Sequence, residues 1–522
     1  MNDSLKIKIG QMIMAGIPGG CVTESFAELC REYRIGNFCL SAENSTSLET
    51  VCDINYDLRK ITYTNTGIYP FISIDQEGGW VNRYYEGAAC VQGNMSHAAA
   101  GFDGEAIERV WIRVGRILRA LGCNMDNAPV LDVNSRESCP VVGTRSFGDD
   151  PKKVAELGRG ALRGLARAQV VGVVKHFPGH GAAEGDTHLV TSVNRYDMGR
   201  FRENDLYPFE RAFESGASAL MTAHVTYEAF GDEPATASRR IMTSLLRDEL
   251  KFEGVAITDS MNMNAMLEAY PDGESAVKAI EAGCDMLLYY PMNENIFLPA
   301  IEAICAAVES GRISEGRIEE SYRRILAVKE RFSVAAADPD PTLAKALVFD
   351  EEAIDRTFEE KLSSITCLKG SELLCGLDEK RILCISPVCD ALRGVEESRR
   401  RILSFADEFA KEFDSAISCV SSLDGMTDDL RGAIELEYDI CVVGVFDAVS
   451  FPRQLEIIKA LKEKGTSTIA VLLRSPYDYK FVKDCDAVIT SYEYTPQAVS
   501  ATVKAMKNNE YRGVLPIRLG GL

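Results

Sequence analysis

The chain has 522 residues, 46% hydrophobic and 26% charged, the balance of a globular protein that can bury a large core. Acidic side chains outnumber basic ones, 78 to 57, for a formal net charge of -21. That charge repels phosphate backbones and anionic lipid at long range, so nucleic acid and membrane surfaces are excluded as expected partners.

The first twenty residues, MNDSLKIKIGQMIMAGIPGG, carry their lysines inside an amphipathic pattern. The apolar run Met12–Ile17 is too short for a secretory core or a membrane span. The 16 cysteines are scattered singly, with no C-x-x-C and no zinc-site spacing. Reduced thiols used as small hydrophobes, and a cytoplasmic location, are the expectation.

Short apolar runs then recur along the chain, separated by helical patterns. Strands are predicted near Gln11–Ala15, Gly36–Leu40, Pro70–Asp75 and Asn124–Asp132. Others are predicted near Val170–His176, Ser218–His224, Gly254–Asp259 and Asp285–Tyr290. Helices are predicted between them, among them Gly104–Leu121, Pro151–Ala168 and Asp205–Ser215. Eight strand–helix units predict a closed (β/α)8 TIM-type barrel. The useful polar residues Asp75, Lys175, His176, His224 and Asp259 fall at or just past the C-terminal strand ends, where barrel enzymes keep their sites.

After a helix at Glu315–Glu330 the pattern fades into Asp338-Pro339-Asp340-Pro341. A second α/β pattern follows, with strands predicted at Arg381–Ser386, Ile440–Val445, Thr468–Leu473 and Ala487–Thr490. The expected organisation is a barrel over residues 1–335, a linker and connecting helix over 336–365, and a smaller three-layer α/β domain over 366–522.

The most informative segment is Lys175-His176-Phe177-Pro178-Gly179-His180-Gly181, continuing to Asp186-Thr187-His188. Three of the chain's 5 histidines lie within it. Histidine titrates nearest working pH, so the cluster points to proton transfer or metal binding. In extended chain, residues i and i+2 point the same way, so Asp186 can face His188 and set its tautomer. Lys175 and His176, by contrast, are neighbours and would face opposite sides of a regular strand, so irregular backbone is predicted between Lys175 and Pro178. Gly179, Gly181 and Gly185 predict a loop able to move.

Asp259, ending the apolar run Ala256-Ile257-Thr258, sits where a barrel puts a nucleophile or a metal ligand, although aspartate after a strand is also a common helix N-cap. Asp75 and Arg83 in Ile74-Asp75-Gln76-Glu77-Gly78-Gly79-Trp80-Val81-Asn82-Arg83, and Arg145 in Gly143-Thr144-Arg145-Ser146-Phe147-Gly148, suit bidentate bonds to sugar hydroxyls or internal ion pairs.

These four segments, in this order, resemble glycoside hydrolase family 3, and within it the bacterial β-N-acetylglucosaminidase branch. The likeness covers roughly residues 5 to 330, with a weaker echo at Gly513-Val514-Leu515-Pro516-Ile517. It implies a retaining enzyme that removes terminal β-linked N-acetylglucosamine from muropeptides or chito-oligosaccharides, without metal or other cofactor. By the same resemblance Asp259 matches the nucleophile, His188 the acid/base and Asp186 its partner. Asp75, Arg83, Arg145, Lys175 and His176 match positions that hold the non-reducing-end sugar. Trp80 departs from the family, which often has arginine there. Two other chemistries compete at this point. One is phosphorolysis, since a neutral histidine base does not repel phosphate. The other is a metallohydrolase using His176, His180, His188 and Asp259.

Overall fold

The structure is a computed structural model that describes residues 2–137, 139, 141–185, 192–388 and 404–520. All eight predicted barrel strands form: β1 (Ile13–Gly16), β2 (Asn37–Leu40), β3 (Phe71–Ile74), β4 (Met125–Asp126), β5 (Val171–Phe177), β6 (Ala219–Thr222), β7 (Val255–Ser260) and β8 (Met286–Tyr289). They pair in parallel in sequence order, and β8 closes on β1 through Ile13 opposite Leu287. Helices cover the outside and side chains fill the inside, so nearly every strand residue is buried and the strands read as unbroken apolar runs.

The helices start where their capping chemistry says they should. Asp103 accepts from the Glu105 and Ala106 amides to open Gly104–Ala120, and Asp150 caps Pro151–Arg167, with proline in its first turn. The helix predicted from Asp205 instead begins at Met198–Phe201, capped by Asp197, passes through a wide π-turn over Arg202–Leu206 and becomes regular again at Tyr207–Glu214. Strand β4 is much shorter than the predicted Asn124–Asp132. Pro129 lacks an N–H and cannot extend the ladder, so pairing resumes only at a single bridge between Val130 and Lys175.

Two helices, Pro341–Val348 and Glu351–Leu362, connect the barrel to a separate six-stranded sheet. Its strands are β9 (Thr366–Lys369), β10 (Ile382–Pro387), β11 (Ala416–Ser421), β12 (Ile440–Val445), β13 (Ser467–Leu472) and β14 (Ala487–Thr490). The order is β9-β14-β13-β12-β10-β11, parallel except for β9. Strands β9 and β11 were not predicted: both lie at sheet edges, and the half-exposed run Ala416-Ile417-Ser418-Cys419-Val420-Ser421 has no clean alternation. One feature ties the two units together. Trp80 and Val81, from the loop after β3, are buried in the apolar core on one side of the second sheet.

Candidate active site

Strand β3 ends one residue before Asp75, and the chain then turns back on itself as a tight hairpin, Gln76–Gly78 against Val81–Asn82. The Gln76 side chain fixes this hairpin from inside by donating to the Tyr84 and Ala89 carbonyls. Asp75, Glu77 and Arg83 are thereby held at the mouth of the barrel, all buried.

Their partners come from neighbouring strand ends. The Lys175 ammonium donates to Asp75 Oδ1 at 3.1 Å and lies 2.6 Å from Glu77 Oε1. Arg83 donates to the other Asp75 oxygen at 3.2 Å. Arg145 grips Glu77 with two parallel bonds of 2.8 and 2.7 Å, the strongest geometry open to a guanidinium and a carboxylate. Next to it, His176 Nδ1 lies 2.6 Å from Asp132 Oδ2, and Arg145 Nη2 approaches His176 Nε2 at 3.5 Å. A guanidinium can only donate, so the ring proton belongs on Nδ1 and Nε2 accepts. Asp132 also accepts from the backbone N–H groups of His176 and His180.

The electrostatics follow from this pairing. Burial alone would push the Glu77 carboxyl up, but Arg145 and Lys175 outweigh it and bring it down to about 2. Burial is likewise overcome at Asp75 by Lys175 and Arg83, and at Asp132 by His176, so both titrate below the usual carboxylate range. Burial would lower Lys175, yet Asp75 and Glu77 hold it above its ordinary value. At two other groups burial outweighs the charges nearby. Asp126, beneath the cluster, is raised well above a normal carboxyl, and burial drives His180 down to about 4 despite Asp132.

Two backbone irregularities set the direction of side chains at the barrel mouth. Along β5, Val174 pairs with Leu220 and Phe177 with Thr222, so β5 fits one more residue than β6 between these pairs. The extra residue falls at Lys175–His176, whose peptide is cis, as is that of Phe177–Pro178. The predicted irregularity between Lys175 and Pro178 is therefore present, and both side chains reach the same charged cluster. Along β7, Ile257 pairs with Met286 and Ser260 with Leu288, which inserts one extra residue at Thr258–Asp259. The Thr258 hydroxyl accepts from the Leu288 N–H at 3.1 Å. Asp259 is half-buried, accepts from the Ser260 amide at 2.7 Å, and is near enough to act on the His180 imidazole. His224 braces the same corner, its Nε2 3.0 Å from the Ser260 carbonyl and its Nδ1 2.7 Å from the Thr236 hydroxyl.

Asp75, Arg83, Arg145, Lys175 and His176 are thus brought into one network, with Asp259 on the adjoining face of the mouth. Asp186 and His188 lie outside the described residues. Glu77 and Asp132 are assigned no role from the sequence, yet Glu77 holds Arg145 and Lys175 and Asp132 holds His176. Their signal was position: Glu77 shares a motif with Asp75, and Asp132 closes the predicted fourth strand. Among the described residues, no group of three or more His, Cys, Asp and Glu is arranged to hold a metal ion, and no helix is long and apolar enough to cross a membrane.

Comparison with known proteins identifies the family. Residues 4–328 match the model of the glycosyl hydrolase family 3 N-terminal domain. A beta-hexosaminidase A of Pseudoalteromonas piscicida is 28% identical over 514 residues, covering 90% of this chain and 84% of the relative. A beta-hexosaminidase of Pseudomonas aeruginosa is 33% identical over 275 residues, 52% of this chain and 80% of that protein. The solved structure of a glycoside hydrolase family 3 beta-N-acetylglucosaminidase from Paenibacillus sp. str. FPU-7 superposes with a TM-score of 0.91 at 33% identity, covering 99% of both chains. The chain belongs to glycoside hydrolase family 3, and it is a glycoside hydrolase.

Proposed function

We propose that the protein is a retaining exo-β-N-acetylglucosaminidase in which Asp259 is the nucleophile and His188, oriented by Asp186, is the acid/base. The observation that carries this reading is the charged network at the barrel mouth, walled by Asp75, Glu77, Arg83, Arg145, Lys175 and His176, with a single half-buried carboxylate, Asp259, beside it. Three carboxylates, Asp75, Glu77 and Asp132, stand against three cations, Arg83, Arg145 and Lys175. The network is balanced internally, and its donors are held in place before any ligand arrives. Such a cradle suits a neutral, hydroxyl-rich ring better than an anion. Two Lys175 N–H groups are engaged by Asp75 and Glu77, and the third is assigned to a sugar hydroxyl.

In the first step protonated His188 donates to the glycosidic oxygen while Asp259 attacks the anomeric carbon. The carbon–oxygen bond to the leaving group breaks and a covalent glycosyl-enzyme forms. In the second step neutral His188 takes a proton from water. The resulting hydroxyl displaces Asp259 and releases the sugar in its original β configuration. The similar proteins named above support N-acetylhexosamine as the sugar, and the acidic composition with its 16 scattered cysteines supports a cytoplasmic enzyme acting on muropeptide fragments or imported chito-oligosaccharides.

The test is turnover of a chromogenic N-acetyl-β-glucosaminide in EDTA, with the first-formed anomer followed by NMR. Wild-type enzyme is expected to remain active and to release the β-anomer. His188→Ala and Asp186→Ala are each expected to lose about 10²–10⁴-fold in kcat. Loss of activity on chelation, or first release of the α-anomer, would overturn the mechanism. A product that appears as sugar phosphate in phosphate buffer would replace hydrolysis by phosphorolysis.

A further inference from the structure

Besides the Trp80 contact, the second domain meets the sugar-binding loops through a buried ion pair with the connecting helix. Lys361 closes the helix Glu351–Leu362, and Glu493 stands just past the end of β14; both are buried. The Lys361 ammonium is 2.8 Å from Glu493 Oε1 and donates to the Ser96 hydroxyl and the Ser491 carbonyl, each also at 2.8 Å. Its three N–H groups are therefore divided between the barrel, through Ser96, and the second domain, through Ser491 and Glu493. The second Glu493 oxygen accepts from the Gly93 N–H at 3.0 Å.

Gly93 is where this pair meets the site. The next residue, Asn94, donates its side-chain amide to the Arg145 carbonyl at 2.7 Å. Gly79, at the tip of the hairpin that carries Asp75, Glu77 and Arg83, lies against Gly93, and its N–H donates to the Val91 carbonyl. A Cβ on Gly79 would stand 2.3 Å from Glu493 Oε2, and its φ of +61° is one that side chains rarely adopt. Beside it Trp80 packs edge-on against Phe446 of the second domain, with the Arg474 guanidinium over its ring. The hairpin tip is thus seated on Glu493 and anchored by Trp80, while its base presents the residues assigned to the sugar.

We propose that Glu493 and Lys361 are positioning residues: through Gly79 and Gly93 they set the hairpin and the Arg145 loop in register, which makes the second domain part of the sugar-binding site. A buried ion pair adds little net stability over an apolar replacement, so its use here is geometric. The inference rests on the reading of Asp75, Arg83 and Arg145 as the sugar-holding group, and the test separates the two.

The experiment uses the full chain as wild type, Glu493→Gln, Lys361→Met, Arg83→Ala and Lys480→Ala. The last removes another contact between the two units, the exposed pair of Lys480 with Glu137. For each, kcat and KM on an aryl N-acetyl-β-glucosaminide, the thermal midpoint and acrylamide quenching of tryptophan fluorescence are measured. The chain has 2 tryptophans, and Trp111 is fully buried in the barrel, so added quenching reports Trp80. Glu493→Gln and Lys361→Met are expected to raise KM about tenfold or more with kcat within about threefold, and to expose Trp80. Lys480→Ala is expected to leave KM unchanged. A raised KM in Arg83→Ala, with both latch variants at the wild-type KM, would overturn the positioning role even if they melt earlier. A raised KM in Lys480→Ala equal to theirs would overturn its specificity. An unchanged KM in Arg83→Ala itself would remove the sugar-holding reading, and the latch with it.

Discussion

Glu77 shows how one buried side chain can hold several others in place. Its carboxylate holds Arg145 bidentately and Lys175 by a short contact, and their charges bring its pKa down to about 2 despite full burial. Glu77→Gln leaves two buried cations short of their partner and is expected to cost ~3–5 kcal/mol of stability and to raise KM. Chemical denaturation and steady-state kinetics check the two parts. The pH dependence follows from the direction of the shifts. Asp75, Glu77 and Asp132 all titrate lower folded than unfolded, so their contribution is complete above the ordinary carboxylate range, about pH 4–4.5. It is lost as pH falls through the folded values. His180, driven down to about 4 by burial, acts in the same direction, its contribution fading as pH drops below the free-histidine range near ~6.5. Buried Asp126 and Asp205, raised by burial, act in the opposite sense, so the test is a difference: the gap in denaturant midpoint between wild type and Glu77→Gln is expected to be full above about pH 4.5 and to narrow as pH falls towards the folded value.

At the scale of the element, the site is made by departures from regularity. An ideal β5 would send Lys175 and His176 to opposite faces, and an ideal β7 would leave Asp259 without its bulge. The bulge on β7 is held by Thr258, whose hydroxyl accepts an N–H that the ladder leaves over. Thr258→Val is nearly isosteric but strands that N–H, so it is expected to cost about 1–3 kcal/mol and to lower kcat with little change in KM. Much of the scaffold was legible in sequence because barrel strands are buried on both faces and appear as continuous apolar runs. The irregularity at Lys175–Pro178 was legible too, because two adjacent residues were both assigned to one sugar. The bulge at Asp259 was not, since nothing in Thr258-Asp259-Ser260 distinguishes it from a straight strand end. Strand β11 was also missed: a half-exposed edge of small and polar residues carries no period to read.

For the whole molecule, the consequential contact is between the barrel and the second sheet. Trp80 stands where the family often has arginine, and it proves to be a core residue of the other unit, which a linear sequence cannot reveal. A barrel residue buried in a second core makes the two units share stability. Wild-type protein is expected to melt in a single calorimetric transition. Trp80→Ala is expected to remove about 3–5 kcal/mol and to split the transition in two. Two well-separated transitions in the wild type would show that the cores are energetically independent.

Asp259, proposed to form the bond to the sugar, can be examined by chemical rescue. Asp259→Ala, assayed with an activated aryl N-acetyl-β-glucosaminide, is expected to lose at least about 10³-fold in kcat. Azide fits the space left by the carboxylate and attacks from the same face, so adding it is expected to restore turnover and to yield the α-glycosyl azide. Near-wild-type activity in Asp259→Ala, or a severe loss with only the β-azide formed, would contradict the assignment.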